Sequence, residues 1–119
     1  MQFSSANLAV ILTALSQVAS ATVFTGTLTL PTGDKRNVAW TNGALNPCEE
    51  TSTIGSGSGN PCEQEFTAGG VGGFKLVGCG GNGLTLFQDG NFNSNCKFEP
   101  LEVGGCPGTA KLEQGFSCF

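Results

Sequence analysis

The sequence contains no histidine and no tyrosine, one tryptophan, and only five basic against nine acidic side chains in 119 residues. Each shortage removes something. Without histidine there is no Ser-His-Asp or Cys-His arrangement and no histidine base for a ribonuclease. A net charge of −4 leaves nothing to neutralise a row of phosphates, which disfavours nucleic acid and an anionic membrane surface alike. The absence of histidine and of any CxxC spacing argues against a zinc site. No metal and no cofactor is expected. Beyond residue 21 no apolar run approaches the length of a transmembrane helix.

What is present begins with a leader. "NLAVILTALSQVASA" is an apolar stretch that ends in Ala19-Ser20-Ala21, small residues at the positions a signal peptidase reads. It departs from the usual pattern in having no Lys or Arg before it. Residues 1–21 are read as a cleaved signal peptide, and Thr22 to Phe119 as a single secreted domain. All six cysteines fall in that domain: Cys48, Cys62, Cys79, Cys96, Cys106 and Cys118. An even number in a short secreted chain predicts a disulfide framework. Six cysteines allow 15 pairings. Cys48 and Cys62 are neighbours flanking a Gly/Ser-rich loop and are the pairing expected first.

The remaining pattern is all-β. "TVFTGTLTL" alternates Phe24, Leu28 and Leu30 with Thr25, Thr27 and Thr29, a period of two. "PTGDKR" reads as a turn and "NVAW" as the returning strand. The alternative for Lys35-Arg36 is a dibasic processing site, which would remove the first strand. "TSTIGSGSGN" reads as a loop with almost nothing to bury. "EQEFT", "GFKLVG", "LTLFQ", "CKFEP" and "AKLEQGFSCF" are short strand candidates, separated by Gly-rich turns. This predicts a small disulfide-stapled sandwich or barrel of short antiparallel strands, with Greek-key topology open to it. "NPCE" occurs twice, at Asn46–Glu49 and Asn60–Glu63, as two corners that could each enter a disulfide.

"DGNFNSN" places Asp89, Asn91, Asn93 and Asn95 at every second position, as a calcium loop begins. An EF-hand loop needs Gly at its sixth position and Glu at its twelfth, between helices. Here those positions hold Ser94 and Pro100, between strands. The segment is therefore read as a hairpin connection, in which Asp-Gly and Asn supply positive φ cheaply. "LTLFQDGNFNSNCKFE" resembles the folded hairpin of βγ-crystallin Greek keys. Phe87 and Phe92 match that family's two aromatics, and Ser94 stands where it has Gly. Thr109, in "GTAKLEQG", stands where it usually has Ser. The resemblance implies Greek-key topology. It does not bring calcium with it, because the family's acidic or amide pair is replaced by Gly104 and Gly105.

The leader, the acidic Gly-rich domain and the six cysteines together resemble the small secreted cysteine-rich proteins of fungi. That type includes effectors and elicitors of plant defence, and it implies an extracellular, non-enzymatic role exercised by binding. The implied partner is a host extracellular protein or a cell-wall component, with no membrane involved once the leader is removed. The alternative is a glycan-binding module. Trp40 is the one candidate platform, although its place after Val38 and Ala39 in a strand suits a core residue better. Trp40, Asp89, Asn91 and Asn93 are the candidate surface-binding residues. A third reading, a small hydrolase, would need two carboxylates across a cleft. Glu49/Glu50, Glu63/Glu65 and Glu99/Glu102 are the available pairs, with Glu63 and Glu65 sharing one face of a strand.

Overall fold

The computed structural model describes residues 22–81, 83–104 and 106–119. The leader reading and the Gly105 position lie outside the described residues. Eight strands form: β1 Val23–Thr29, β2 Lys35–Thr41, β3 Ser52–Thr53, β4 Glu65–Ala68, β5 Val71–Val77, β6 Thr85–Gln88, β7 Asn91–Val103 and β8 Lys111–Cys118. A 3-10 turn, Pro47–Glu49, precedes β3.

The strands lie in the order β3-β2-β1-β8-β7-β6-β5-β4, all antiparallel. Sequence neighbours pair everywhere except between β3 and β4, and the first strand pairs with the last. This is an up-and-down meander rather than the Greek key that the crystallin resemblance implied. The reason is local. β4–β5 and β6–β7 are joined by two-residue turns whose residues all have positive φ, Gly69-Gly70 and Asp89-Gly90. Such turns match the twist of the flanking strands and return each strand beside its predecessor. β4 packs near β2 and β3 without pairing to either. The sheet is thus an almost closed barrel with its seam between β3 and β4.

Several strands differ from those expected: β3 lies within "TSTIGSGSGN", which was expected to be a loop, β5 begins at Val71 inside "AGGVGG", and β7 runs past "CKFEP" to Val103. β2 begins at Lys35, not Asn37, so the dibasic pair lies in the strand, opposite Thr29 and Leu28. β7 begins at Asn91, so the asparagines of "DGNFNSN" are strand residues and only Asp89 and Gly90 form the turn. The Gly/Ser loop is also better anchored than expected. Ile54 is buried, its N–H bonds Asn37 O at 2.8 Å, and Asn37 N–H bonds Gly57 O at 2.8 Å.

The barrel has an inner and an outer core. Inside, Val23, Ala39, Ile54, Phe66, Ala68, Phe74, Leu76, Leu86 and Cys118 pack together. Outside, on the far face of β1, β2 and β8, Val38, Trp40 and Leu112 pack with Phe24 and Leu28. Ala44, Cys48, Val103 and Cys106 cover this outer cluster. β1 therefore uses both faces: Phe24 and Leu28 go outward, whereas Val23 and the buried Thr25 go inward. Gly26 lies where β8 bulges, and a Cβ there would collide with the Glu113 carbonyl.

The disulfides are Cys48–Cys106, Cys62–Cys79 and Cys96–Cys118, and no described cysteine is free. The expected Cys48–Cys62 bridge does not form. Cys48 belongs to the outer cluster and Cys62 to the inner one, so the sheet separates them. The two NPCE corners each enter a bridge but are not equivalent. The first is a 3-10 turn. In the second, Asn60 Oδ1 accepts the Cys62 N–H at 2.9 Å and Glu63 has φ of 65°.

Candidate binding cleft

The two halves of the barrel part company at one end. β1, β2, β8 and the last part of β7 run on past the short strands β4 and β6. Along the inner face of β7 and β8 the side chains change from Cys96 and Cys118 to Phe98 and Phe116, then to Glu102 and Glu113. Where the apolar part of this face ends, a cleft of about 410 Å³ opens. Thr25, Cys96 and Phe116 form one wall, and Leu76, Leu84, Cys79 and Pro61 the other. Gly78, Gly80, Gly81 and Gly83 of the β5–β6 connection complete it. A smaller cavity of about 160 Å³ adjoins it and shares Thr25, Pro61, Leu76 and Phe116.

Among the described lining residues no side chain is ionisable, and Thr25 carries the only side-chain hydroxyl. The Phe116 ring stands 5.3 Å from that of Phe98, which follows Cys96 by two positions on the same face. Phe98 is 64% exposed, so an aromatic surface continues from the cleft into solvent. The described side chains offer apolar contact and one hydroxyl, beside the backbone groups of the four glycines.

The residues expected to form a site lie elsewhere. Trp40 is 3% exposed and its ring packs 5.8 Å from Phe24 in the outer core, which corrects its candidacy as a surface platform. The cause is the Cys48–Cys106 cover, which closes the face that Trp40 occupies. Asp89, Asn91 and Asn93 are exposed at the β6–β7 tip, away from the cleft. Their polar groups bond within the hairpin: Asn91 Nδ2 donates to Asp89 O at 3.5 Å, and Asn93 Nδ2 to Gln88 Oε1 at 3.4 Å. The Asp89 carboxylate lies over Gly73, where a Cβ would meet it. Phe87 and Phe92 do meet across the hairpin, edge to face at 6.0 Å. No group of three or more His, Cys, Asp or Glu side chains is placed to hold a metal among the described residues.

The carboxylate pairs do not face one another across a cleft. Glu50 accepts the Asn46 N–H at 2.7 Å. Glu63 precedes β4 with positive φ, so Glu63 and Glu65 are not partners on one strand face as expected. Glu99 and Glu102 are parted by the bulge between Phe98 and Leu101. Glu99 accepts from Ser117 Oγ on the outer face, while Glu102 stands 3.9 Å from Lys111.

The lining residues Thr25, Pro61, Leu76, Leu84 and Phe116 come from β1, β5, β8 and the connections before β4 and β6, and carry no motif. The one local signal was "GCGGNG", whose glycines exceed what a simple hairpin turn requires. No protein-family model matches this chain, no curated protein is significantly similar to it, and no solved structure matches it.

Proposed function

We propose that this chain works outside the cell by binding rather than by catalysis, as an effector- or elicitor-like protein that meets a host extracellular protein or a cell-wall component. One observation carries the reading. The cleft beside Phe116 offers apolar contact surface and the Thr25 hydroxyl among its described side chains, while Glu50, Glu99 and Glu102 are engaged in a turn, a hydrogen bond to Ser117 and an ion pair elsewhere. The three disulfides suit an oxidising compartment. No helix among the described residues is long and apolar enough to cross a membrane. The leader-like start of the sequence agrees with secretion.

The test is infiltration of purified, oxidised protein into leaves. A local defence response is expected, and it should vanish when the protein is reduced and alkylated. No response from the folded protein sinks the elicitor reading. Parallel pull-downs on chitin, glucan and cellulose address the alternative. With Trp40 buried, retention would have to depend on an exposed ring such as Phe98 or Phe92. Release of sugars from those polymers would make the protein an enzyme after all.

A further inference from the structure

We infer that the cleft between the barrel halves is a binding site for a neutral, flat, ring-containing small molecule that carries one hydrogen-bonding group. The inference rests on the binding reading above and names a ligand class for it. Its grounds are the size, neutrality and shape of the site.

The cleft, at about 410 Å³, falls within the range of small-molecule sites, roughly 300–1,000 Å³. The domain carries fourteen ionisable Lys, Arg, Asp and Glu side chains, yet none lines the cleft or the smaller cavity beside it, where the further polar side chains are Thr27 and Asn37, the latter bonded to Gly59 O at 2.8 Å. A charged ligand would lose its hydration there and gain no partner, which is costly. A neutral one loses little. Thr25, on the inner face of β1, supplies one hydroxyl, enough to orient a single polar group. The four glycines contribute backbone without side chains, and Phe116 offers a ring on the opposing half of the barrel. A flat ring fits between such surfaces, gaining offset stacking on Phe116. Phe98 extends that aromatic surface toward solvent and is largely exposed.

A peptide strand fits less well. β1 and β8 pair with each other along the wall that carries Thr25 and Phe116, so their backbone groups are already engaged. Among the described residues, no free strand edge of that wall is open for β-addition.

The test is a fluorescence titration of the intact domain with N-phenyl-1-naphthylamine, a neutral aromatic amine with one N–H. Its sulfonated analogue, anilinonaphthalene sulfonate, serves as the charged control. Saturable one-to-one binding is expected, with the sulfonate at least about tenfold weaker. Gly83 has open space where a Cβ would go and no positive φ, so Gly83→Trp can block the cleft without disturbing the core. It should weaken the neutral probe by about tenfold or more. Phe98→Ala, at an exposed position, keeps the test valid if the first variant folds poorly, and should weaken binding several-fold. Leu45→Ser, at an exposed position outside the cleft, should change nothing.

A probe that does not saturate, prefers the sulfonate, or binds Gly83→Trp and Phe98→Ala as it binds the parent overturns the assignment. The outcomes separate from those of the binding reading. A leaf response without probe binding removes only the cleft ligand. Probe binding without a leaf response removes only the elicitor role.

Discussion

β2 and β4 show how differently the two sides of this barrel are built. In β2, Val38, Ala39 and Trp40 are buried in succession, because Ala39 faces the inner core while Val38 and Trp40 face the outer one. In β4, Glu65, Phe66, Thr67 and Ala68 alternate exposed and buried, because only the inner face is covered. A strand covered on both faces reads as a continuous apolar run, and a strand covered on one face alternates. The second layer on the β1-β2-β8 side is not another sheet. It is two connections, before β3 and after β7, held together by Cys48–Cys106. The β4-β5-β6 side has no such cover, and Phe92 remains 58% exposed there.

Removing the staple is the strongest way to break this contrast. Cys48–Cys106 spans 58 residues and Cys62–Cys79 spans 17. Chain entropy alone gives roughly 4 kcal/mol for the longer loop and roughly 3 kcal/mol for the shorter. The longer bridge also holds the outer cover in place. Cys48→Ala with Cys106→Ala should therefore lower the melting temperature more than the corresponding Cys62/Cys79 pair does. Trp40 is the only tryptophan, so its emission reports the cover directly. It should shift to the red in the first variant and stay put in the second. Unchanged emission in the first variant would mean that the cover holds without its staple.

Single leucines sharpen the comparison with smaller effects. Leu112 is fully buried under the outer cover and Leu86 is fully buried in the inner core. If the outer cluster is a true core, each alanine substitution should cost ~2–5 kcal/mol in denaturant unfolding. Phe92→Ala, on the open side, should cost only about 0.5 kcal/mol, as exposed positions generally do. A Leu112→Ala protein as stable as Phe92→Ala would reduce the outer cluster to a loosely covered patch.

These two sides also explain what the sequence disclosed. Most strands were legible because Gly-rich turns punctuate a period of two, whereas the two-residue β3 was hidden in a Gly/Ser-rich segment. The Asp89-Gly90 hairpin was legible because an Asp-Gly pair suits a two-residue turn with positive φ. The meander was not legible, since local turns and Greek-key connections use the same residues. The pairing of Cys48 was hidden for a related reason. Which face of a sheet a cysteine takes depends on which connections cross that face, and sequence proximity says nothing of that. Trp40 was legible as a core residue but not as part of a second core. The cleft was the least visible feature: Thr25 and Phe116 meet across β1 and β8, whereas Leu76 and Leu84 arrive from the other half of the barrel. A hydrophobic residue facing a void has the same pattern as one facing a neighbour.

The smallest expected effect concerns the tip of the open side. Calcium at millimolar concentration should not raise the melting temperature. The prediction has force because a real site would be easy to see. Ligand stabilisation follows RT ln(1 + [L]/Kd), so a hundredfold excess over Kd gives ~2.7 kcal/mol. In a domain of this size that moves the transition by roughly 10 °C or more, at ~4–8 °C for each kcal/mol. The hairpin offers little to a dication. Asp89 contributes one carboxylate, folded over Gly73, and the Asn91 and Asn93 amides bond to Asp89 O and Gln88. Calcium binding normally takes six to eight oxygen ligands, usually with a bidentate carboxylate. Asp89→Asn should accordingly leave the transition unmoved in calcium and in EDTA alike, while dithiothreitol should destabilise the domain strongly. Unfolding by EDTA with resistance to dithiothreitol would reverse the roles assigned to the tip and to the staples.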